Sequence, residues 1–399
     1  MQKILLYIFA FSGMLFFSNC TRTKALKFEK FYQKNATTVQ NSYFKQEIPF
    51  KLQNRQIVIP VKIENETYDF LFDTGVSCYI SGDLANKLKL KNITSIKSKN
   101  RELFYTKIPK ITIGDVDFLS NLTTVDVVSS AGCGTISGSI GANLMRSAIW
   151  KIDYKNQIIT LTNFRDSLNL GDAKNVDFTP YPDGVPFFYT NFSPYQKIRT
   201  LMKTTYYGDL NLPERARNSM MPSTAKYLKS YGQLRSANGI GIDTARHTAA
   251  PYLRFDGGWI LQNNAVTFRK SLKSSASMGY YFLKDYAITL DWQVQKISFE
   301  QVEKPKRRIE NTFGFYYTFA DGKLVFSHIF ENSPASEANL HVSEQILMMN
   351  GKDLSKISKE EYCNLQSIWD SENRDEITFT VKQKDGEKTV TLKKVNLDF

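Results

Sequence analysis

The stretch FLFDTGVSCYISG, from Phe70 to Gly82, decides the fold that this chain is expected to adopt. Its apolar start, Phe70 to Phe72, runs directly into Asp73, a hydroxyl and a glycine. An apolar run that ends at a turn is typical of a buried strand. An ionisable group at the end of that strand must face a cleft or have a partner, because burying an isolated charge is costly. Asp73 is therefore the first candidate for a functional residue.

The length and composition indicate a globular protein with more than one domain. At 399 residues the chain exceeds one ordinary core, so we expect two or three domains. Its net charge of +13 is compatible with acidic partners or anionic lipid headgroups, but a generally solvated basic surface is the favoured interpretation. The sequence has no long run of Lys and Arg and no nucleic-acid-binding motif, so no nucleic-acid partner is expected.

The first twenty residues, MQKILLYIFAFSGMLFFSNC, have the layout of a secretory signal: one Lys, a long apolar stretch, then small or polar residues before Cys20. The segment resembles a bacterial lipoprotein signal, which implies that Cys20 carries a lipid anchor to the membrane. Asn19 departs from the Gly or Ala that usually stands there. The alternative is a plain N-terminal anchor helix, for which the segment is short. In either case we expect the body of the protein to be exported.

The other cysteines and the histidines show no metal-binding pattern. Cys78 and Cys133 could pair in an oxidising compartment, but with Cys363 their number is odd and zinc spacing is lacking. The histidines are far from one another in the sequence and from acid-rich segments; they are His247, His328 and His341. We therefore expect no metal and no other cofactor.

The sequence contains two copies of one structural unit. The segments GSIGANLMRSAIWKIDYKNQIITL and ASMGYYFLKDYAITLDWQVQKISF share an apolar residue followed by Gly, an apolar pair, a strand ending in Asp-aromatic, a polar turn and a closing strand. Twelve residues separate Gly141 from Asp153, and twelve separate Gly279 from Asp291. This duplication predicts a two-lobed architecture.

The duplication also predicts where the counterpart of Asp73 should lie. Asp73 precedes Gly141 by 68 residues, so the corresponding place in the second copy is near residue 211. The sequence there is LMKTTYYGDLNLP, in which Lys203-Thr204-Thr205 replaces Asp-Thr-Gly. A second acid is missing at the expected place.

The segment DTGVS (Asp73 to Ser77), together with Ile140-Gly141, resembles the active-site signature of the retropepsin/pepsin-like aspartic peptidases. The duplicated arrangement resembles bacterial lipoproteins with two such lobes and a PDZ domain, and the likeness covers roughly residues 47 to 300 for the lobes. It implies that the catalytic residues are Asp73, Thr74 and Gly75. In this family two carboxylates share one proton, so that one activates a water and the other protonates the carbonyl oxygen. The alternative is that Asp73 only caps an ordinary turn.

Lys203 departs from the family pattern. A lysine facing Asp73 would hold that carboxylate ionised and remove the shared-proton pair. Asp209 and Asp243 are alternative second acids, but Asp209 is followed by Leu and Asn, and Asp243 lies only 36 residues before Gly279. A homodimer that brings Asp73 against its own copy, as in the single-lobe viral enzymes of the family, is a third alternative.

The region after the charged linker EKPKRR resembles a PDZ domain, which takes a peptide as an added strand. Its signals are Phe313-Gly314-Phe315 at the place of the carboxylate-binding loop, Ser333-Pro334-Ala335 before a short helix, and the hairpin turn Asn350-Gly351. The alternative is a docking module without a free ligand.

These observations predict a mostly β protein: a two-lobed pepsin/retropepsin-like β-barrel unit plus a C-terminal PDZ domain. The predicted segments are a lipoprotein signal (1–20), a tether (21–45), lobe 1 (46–165), a degenerate lobe 2 (166–302) and the PDZ domain (309–399). The first functional hypothesis is an aspartic endopeptidase that cleaves peptides or proteins in the cell envelope, lipid-anchored on the periplasmic face. The second is a catalytically inactive homologue that binds peptides as an envelope lipoprotein.

Overall fold

The computed structural model describes residues 26–98, 101–126, 136–193, 196–236, 239–304, 308–371 and 374–398. The protein is mostly β, as the sequence predicts, with two lobes that share a central sheet and a C-terminal domain attached to lobe 2. In this described part of the chain, no helix combines the length and apolar character needed to cross a membrane.

Lobe 1 is built from strands in which apolar and polar residues alternate. In QIVIPVKI, for example, Ile57, Ile59, Val61 and Ile63 lie on one buried face. The elements of lobe 1 are α1 (26–34), β1 (Thr38–Val39), β2 (Lys45–Pro49), β3 (Lys51–Gln53), β4 (Gln56–Ile63), β5 (Glu66–Asp73), β6 (Tyr79–Ser81), α2 (Gly82–Lys87), β7 (Thr94–Ser98), β8 (Arg101–Ile113), β9 (Val116–Asp126), β10 (Ile136–Gly141), α3 (Ala142–Met145), β11 (Ile149–Asp153) and β12 (Ile158–Thr162).

The tether predicted for residues 21–45 needs correction from residue 26 onward. One face of α1, formed by Phe28, Phe31 and Tyr32, packs against Tyr105 and Leu122 of lobe 1. In addition, β2 pairs with β12 in the central sheet. The aromatic residues scattered through this polar segment form a packed helix face, which the composition alone did not indicate.

Lobe 2 follows a single turn of 3₁₀ helix at Arg165–Ser167 and repeats the order of lobe 1. Its elements are β13 (Lys174–Asp177), β14 (Thr179–Pro180), β15 (Pro186–Ser193), β16 (Gln196–Met202), β17 (Leu210–Pro213), α4 (Glu214–Met220), β18 (Leu228–Ser236), β19 (Gly239–Phe255), β20 (Ile260–Arg269), β21 (Ser275–Met278), α5 (Tyr280–Leu283), β22 (Tyr286–Asp291) and β23 (Lys296–Gln301).

The strand pairing confirms the duplication. In lobe 1, β10 is parallel to β5 and antiparallel to β6, and β6 is parallel to β9. In lobe 2, β21 is parallel to β16 and antiparallel to β17, and β17 is parallel to β20. The two repeats meet where β11 pairs with β22 in a six-stranded central sheet, and one apolar core runs through both lobes.

The C-terminal domain has a core of its own, centred on Phe315, Phe326 and Phe379. A type I′ turn at Asn350 (φ 49°) and Gly351 (φ 81°) joins two of its strands, as the sequence predicts. Its elements are β24 (Arg308–Thr312), β25 (Phe315–Ala320), β26 (Lys323–Phe330), α6 (Pro334–Glu337), β27 (Gln345–Met349), β28 (Lys352–Asp353), α7 (Lys359–Ser371), β29 (Glu376–Gln383), β30 (Gly386–Lys393) and β31 (Val395–Asp398). Because β26 also pairs with β18, the sheet of lobe 2 continues into this domain.

Candidate active site

Asp73 is the last residue of β5 and lies at the junction of the two lobes. Its side chain is buried, with 8% of the residue exposed, and the backbone N–H of Gly75 donates to Oδ1 over 2.8 Å. Gly141 of β10 pairs with Asp73, and a Cβ on Gly141 would lie 2.4 Å from the backbone nitrogen of Cys78. The Ile-Gly pair therefore packs directly against the Asp-Thr-Gly loop, as the sequence predicts.

Lys203 occupies the place in lobe 2 that Asp73 occupies in lobe 1. It follows β16 directly, and its N–H donates to the carbonyl of Met278, the residue before Gly279. Its aliphatic stem lies against the other loop, because a Cβ built on Gly75 would come within 2.6 Å of Lys203 Cγ. The two loops thus face each other, with an acid on one and a lysine on the other.

A reciprocal pair of threonine hydrogen bonds locks these loops together, and we call this pair the threonine grip. Thr74 Oγ1 donates to the carbonyl of Met202 over 2.8 Å, and Thr204 Oγ1 donates to the carbonyl of Phe72. Thr204 Oγ1 also accepts the Thr74 N–H over 3.2 Å. Each threonine bonds to the residue just before the facing Asp73 or Lys203, so the grip establishes that those two positions correspond.

The surroundings of Asp73 differ from those of a shared-proton pair. Thr205, at the place of the glycine in the first motif, donates its hydroxyl to Asp73 Oδ2. Burial raises the pKa of Asp73 above its usual value, although the Thr205 hydroxyl, the Gly75 N–H and the charge of Lys203 all lower it. The charge of Lys203 acts in the direction that the sequence predicts, but desolvation has the larger effect on this pKa.

The two alternative acids do not reach Asp73. Asp243 lies on β19, where it accepts two hydrogen bonds from Ser271 and approaches Arg269 at 3.7 Å. Asp209 precedes β17, and burial together with the neighbouring Asp285 raises its pKa to about 6. Neither makes a hydrogen bond with Asp73 among the residues that the structure describes.

The predicted peptide-binding loop precedes β25 in the C-terminal domain. The side chains of Phe313 and Phe315 belong to the domain core, so the loop offers only its backbone to a ligand. The N–H of Gly314 donates to Thr312 Oγ1 over 3.0 Å, and Gly314 has φ +85°, with the Ser333 side chain against it. Ser333 caps α6, as its Ser-Pro start predicts.

The cysteine predictions have separate outcomes. Cys78 is a buried free thiol, so the disulfide with Cys133 is not formed. Burial raises the pKa of Cys78 to about 11. Cys133 and the anchor candidate Cys20 lie outside the described residues. No group of side chains suited to hold a metal ion occurs in the described part of the chain.

The fold is mostly β and two-lobed. Among solved structures, the aspartic proteinase from Irpex lacteus is 11% identical over 65% of this chain and 98% of its own, with a TM-score of 0.41. Basic 7S globulin from soybean is 11% identical over 65% of this chain and 96% of its own, with a TM-score of 0.40. Comparisons with protein-family models and with curated proteins give no match.

Sequence reasoning missed two features of this site. Thr205 had no assigned role, although its place in the second triplet was the available signal. The histidines were treated as isolated, yet His247 of lobe 2 and His328 of the C-terminal domain lie at one interface, because β18 pairs with β26.

Proposed function

We propose that the protein binds extended peptides in the cell envelope, on an aspartic peptidase fold that has lost its catalytic pair. The supporting observation is that Lys203 faces Asp73 at the equivalent position, with the threonine grip intact. The proposal corresponds to the second hypothesis from the sequence and disfavours the aspartic endopeptidase.

The chemistry of the cleft supports binding without cleavage. The peptidase mechanism needs a second carboxyl to share the proton of the first. A lysine ammonium has three donors and no acceptor, so it cannot take a proton from water. Thr205 also occupies Asp73 Oδ2, one of the two oxygens that could activate a water. Both differences oppose proton transfer at this site.

Lys203 also disfavours a catalytic homodimer. In a single-lobe dimer, the second acid comes from the partner copy. Here the place facing Asp73 is already filled from within the chain by the loop of Lys203 and Thr204. The cleft instead offers a carboxyl, an ammonium and the half-exposed Val76 to the backbone and side chains of a bound peptide.

We further propose that the C-terminal domain is PDZ-like and that Cys20 anchors the chain on the periplasmic face. In support, β25 follows the Phe313 to Phe315 loop and lies beside α7, whose Tyr362 ring stacks on Phe319 at 5.7 Å. A Cys20→Ser protein that still incorporates a palmitate analogue would refute the anchor.

The cleavage test uses the full chain and a denatured protein mixture between pH 3 and pH 8. We expect the parent to bind denatured substrate without cutting it. The double variant Lys203→Asp/Thr205→Gly restores the second triplet, and we expect it to cleave at acidic pH, where one carboxyl of the pair is protonated. Adding Asp73→Asn to that variant should abolish cleavage.

The control is Lys226→Asp, which makes the same charge change at an exposed position of lobe 2 and should remain inactive. Cleavage by the parent that disappears in Asp73→Asn would overturn the proposal in favour of the endopeptidase. Failure of the parent to retain denatured substrate would overturn peptide binding separately.

A further inference from the structure

The interface between lobe 2 and the C-terminal domain contains two of the three histidines of the chain. The backbones of β18 and β26 pair antiparallel there, with Ser230 opposite Phe330 and Gly232 opposite His328. Each side of this interface places a histidine ring against the other side. His247 of lobe 2 lies 5.4 Å from the ring of Phe330, and His328 of the C-terminal domain lies over Gly232 of lobe 2.

Hydroxyl and aromatic groups contact both rings. The nitrogens of His247 bond to Ser230 Oγ and Thr267 Oγ1, each over 2.9 Å. The ring of His328 lies 6.5 Å from that of Tyr207 and 6.0 Å from that of Tyr316. A Cβ on Gly232 would come within 2.4 Å of His328 Nε2, so the ring packs directly on the β18 backbone.

The charged groups facing the histidines do not favour a second positive charge. Arg269 disfavours the charged form of both rings. His328 also disfavours the charged form of His247. Asp243 favours the charged form of His328 and so opposes Arg269 there. The Asp243 carboxylate acts on Arg269 as well as on His328, because it approaches the Arg269 guanidinium at 3.7 Å. At the rim, Glu331 pairs with Lys229 at 3.3 Å.

Burial, followed by the charge of Arg269, lowers the pKa of His247 to about 3 and that of His328 to about 4. A histidine whose pKa is lowered by docking supports the docked state fully above its free value of 6.5, and this support is lost as pH falls toward the lowered value. Asp209 acts in the opposite sense and reduces the net response, because burial and the neighbouring Asp285 raise its pKa to about 6 and its charge also acts on Tyr316 of the C-terminal domain.

The same position in lobe 1 is covered without a histidine. The pairings of Tyr105 with Thr124 and of His247 with Thr267 are equivalent in the two repeats. Tyr105 is covered by α1, whose Phe31 ring lies 5.3 Å away. A further element therefore packs on the β-hairpin of each lobe: α1 on lobe 1 and the C-terminal domain on lobe 2. The contact on lobe 1 is aromatic, and the contact on lobe 2 contains two histidines.

We propose that the C-terminal domain docks reversibly on the β18–β19 hairpin of lobe 2, and that protonation of His247 and His328 at mildly acidic pH releases this domain from the hairpin. Among the residues that the structure describes, the packed face of α1 on lobe 1 contains no histidine, so we expect this contact to persist at the same pH. This docking does not depend on what the cleft binds.

The test is hydrogen–deuterium exchange of the full chain at pH 7.5 and pH 5.0, corrected for the intrinsic pH dependence of exchange. We expect protection of the β18 and β26 amides to fall at pH 5.0, by up to about 30-fold for each histidine that release exposes. Protection of the β7–β8 hairpin under α1 should be unchanged.

Three variants decide the cause. His328→Phe keeps a ring against Gly232 and should show about half of the logarithmic response, and His247→Gln/His328→Phe should show none. His341→Gln, at an exposed position of the same domain, should respond like the parent. An unchanged β18 in the parent, an equal loss in β7–β8, or a persistent response in the double variant would overturn the proposal. If the double variant does not fold, the parent, His328→Phe and His341→Gln still decide.

Discussion

The threonine grip leads to a quantitative prediction about the stability of the lobe junction. Thr74 and Thr204 are both fully buried, but they serve different numbers of backbone groups. Thr204 Oγ1 satisfies two, the Phe72 carbonyl and the Thr74 N–H. Thr74 Oγ1 satisfies one, the Met202 carbonyl. Replacing each threonine by valine keeps its shape and removes these bonds.

The expected costs follow from the orphaned groups. A buried backbone group left without a partner costs about 1–3 kcal/mol. Thr204→Val should therefore lower the free energy of unfolding by about 2–6 kcal/mol, and Thr74→Val by about 1–3 kcal/mol. Because the two threonines belong to one hydrogen-bond network, the double variant should depart from additivity by about 0.5–3 kcal/mol.

Urea denaturation, followed by circular dichroism and tryptophan fluorescence, measures these costs. The control is Thr380→Val, which removes an exposed hydroxyl bonded to Thr389 and should change the free energy of unfolding by less than about 0.5 kcal/mol. A smaller loss for Thr204→Val than for Thr74→Val would refute the assignment of two bonds to Thr204.

Three further predictions test the surroundings of Asp73. Burial raises the pKa of Asp73 above its usual 3.8, so ionising this carboxyl costs more in the folded than in the unfolded protein. The fold is therefore destabilised increasingly as pH rises from 3.8 to the raised pKa. Asp73→Asn should raise the melting temperature at pH 7 and not at pH 3. Gly141→Ala and Gly279→Ala place a Cβ within 2.4 Å and 2.5 Å of backbone atoms, and each should cost several kcal/mol or prevent folding; soluble, fully stable variants would contradict the packing. Burial raises the pKa of Cys78 to about 11, so iodoacetamide at pH 7.5 should label it only after unfolding, as peptide mapping would detect.

Sequence reasoning predicted most of the fold because its signals are local. The Ser-Pro start precedes α6, and the Asn350-Gly351 turn joins two strands. It failed for residues 26–45, where scattered aromatics in a polar segment did not indicate the face on which α1 packs. It also did not indicate the direction in which the Asp73 pKa is shifted, since the extent of burial cannot be inferred from neighbours in the chain.

By itself, the sequence determined that Asp73 ends a buried strand, that the unit is duplicated, and that Lys203 stands in the second triplet. Apolar runs, turn residues and a repeated spacing carry this information, because each depends on residues close together in the chain. Only the tertiary structure decided that Thr205 bonds to Asp73 across 132 residues, and that His247 and His328 meet where β18 pairs with β26. Such contacts arise when the two lobes and the C-terminal domain pack, and the packing also decides whether desolvation or a neighbouring charge dominates each ionisable group.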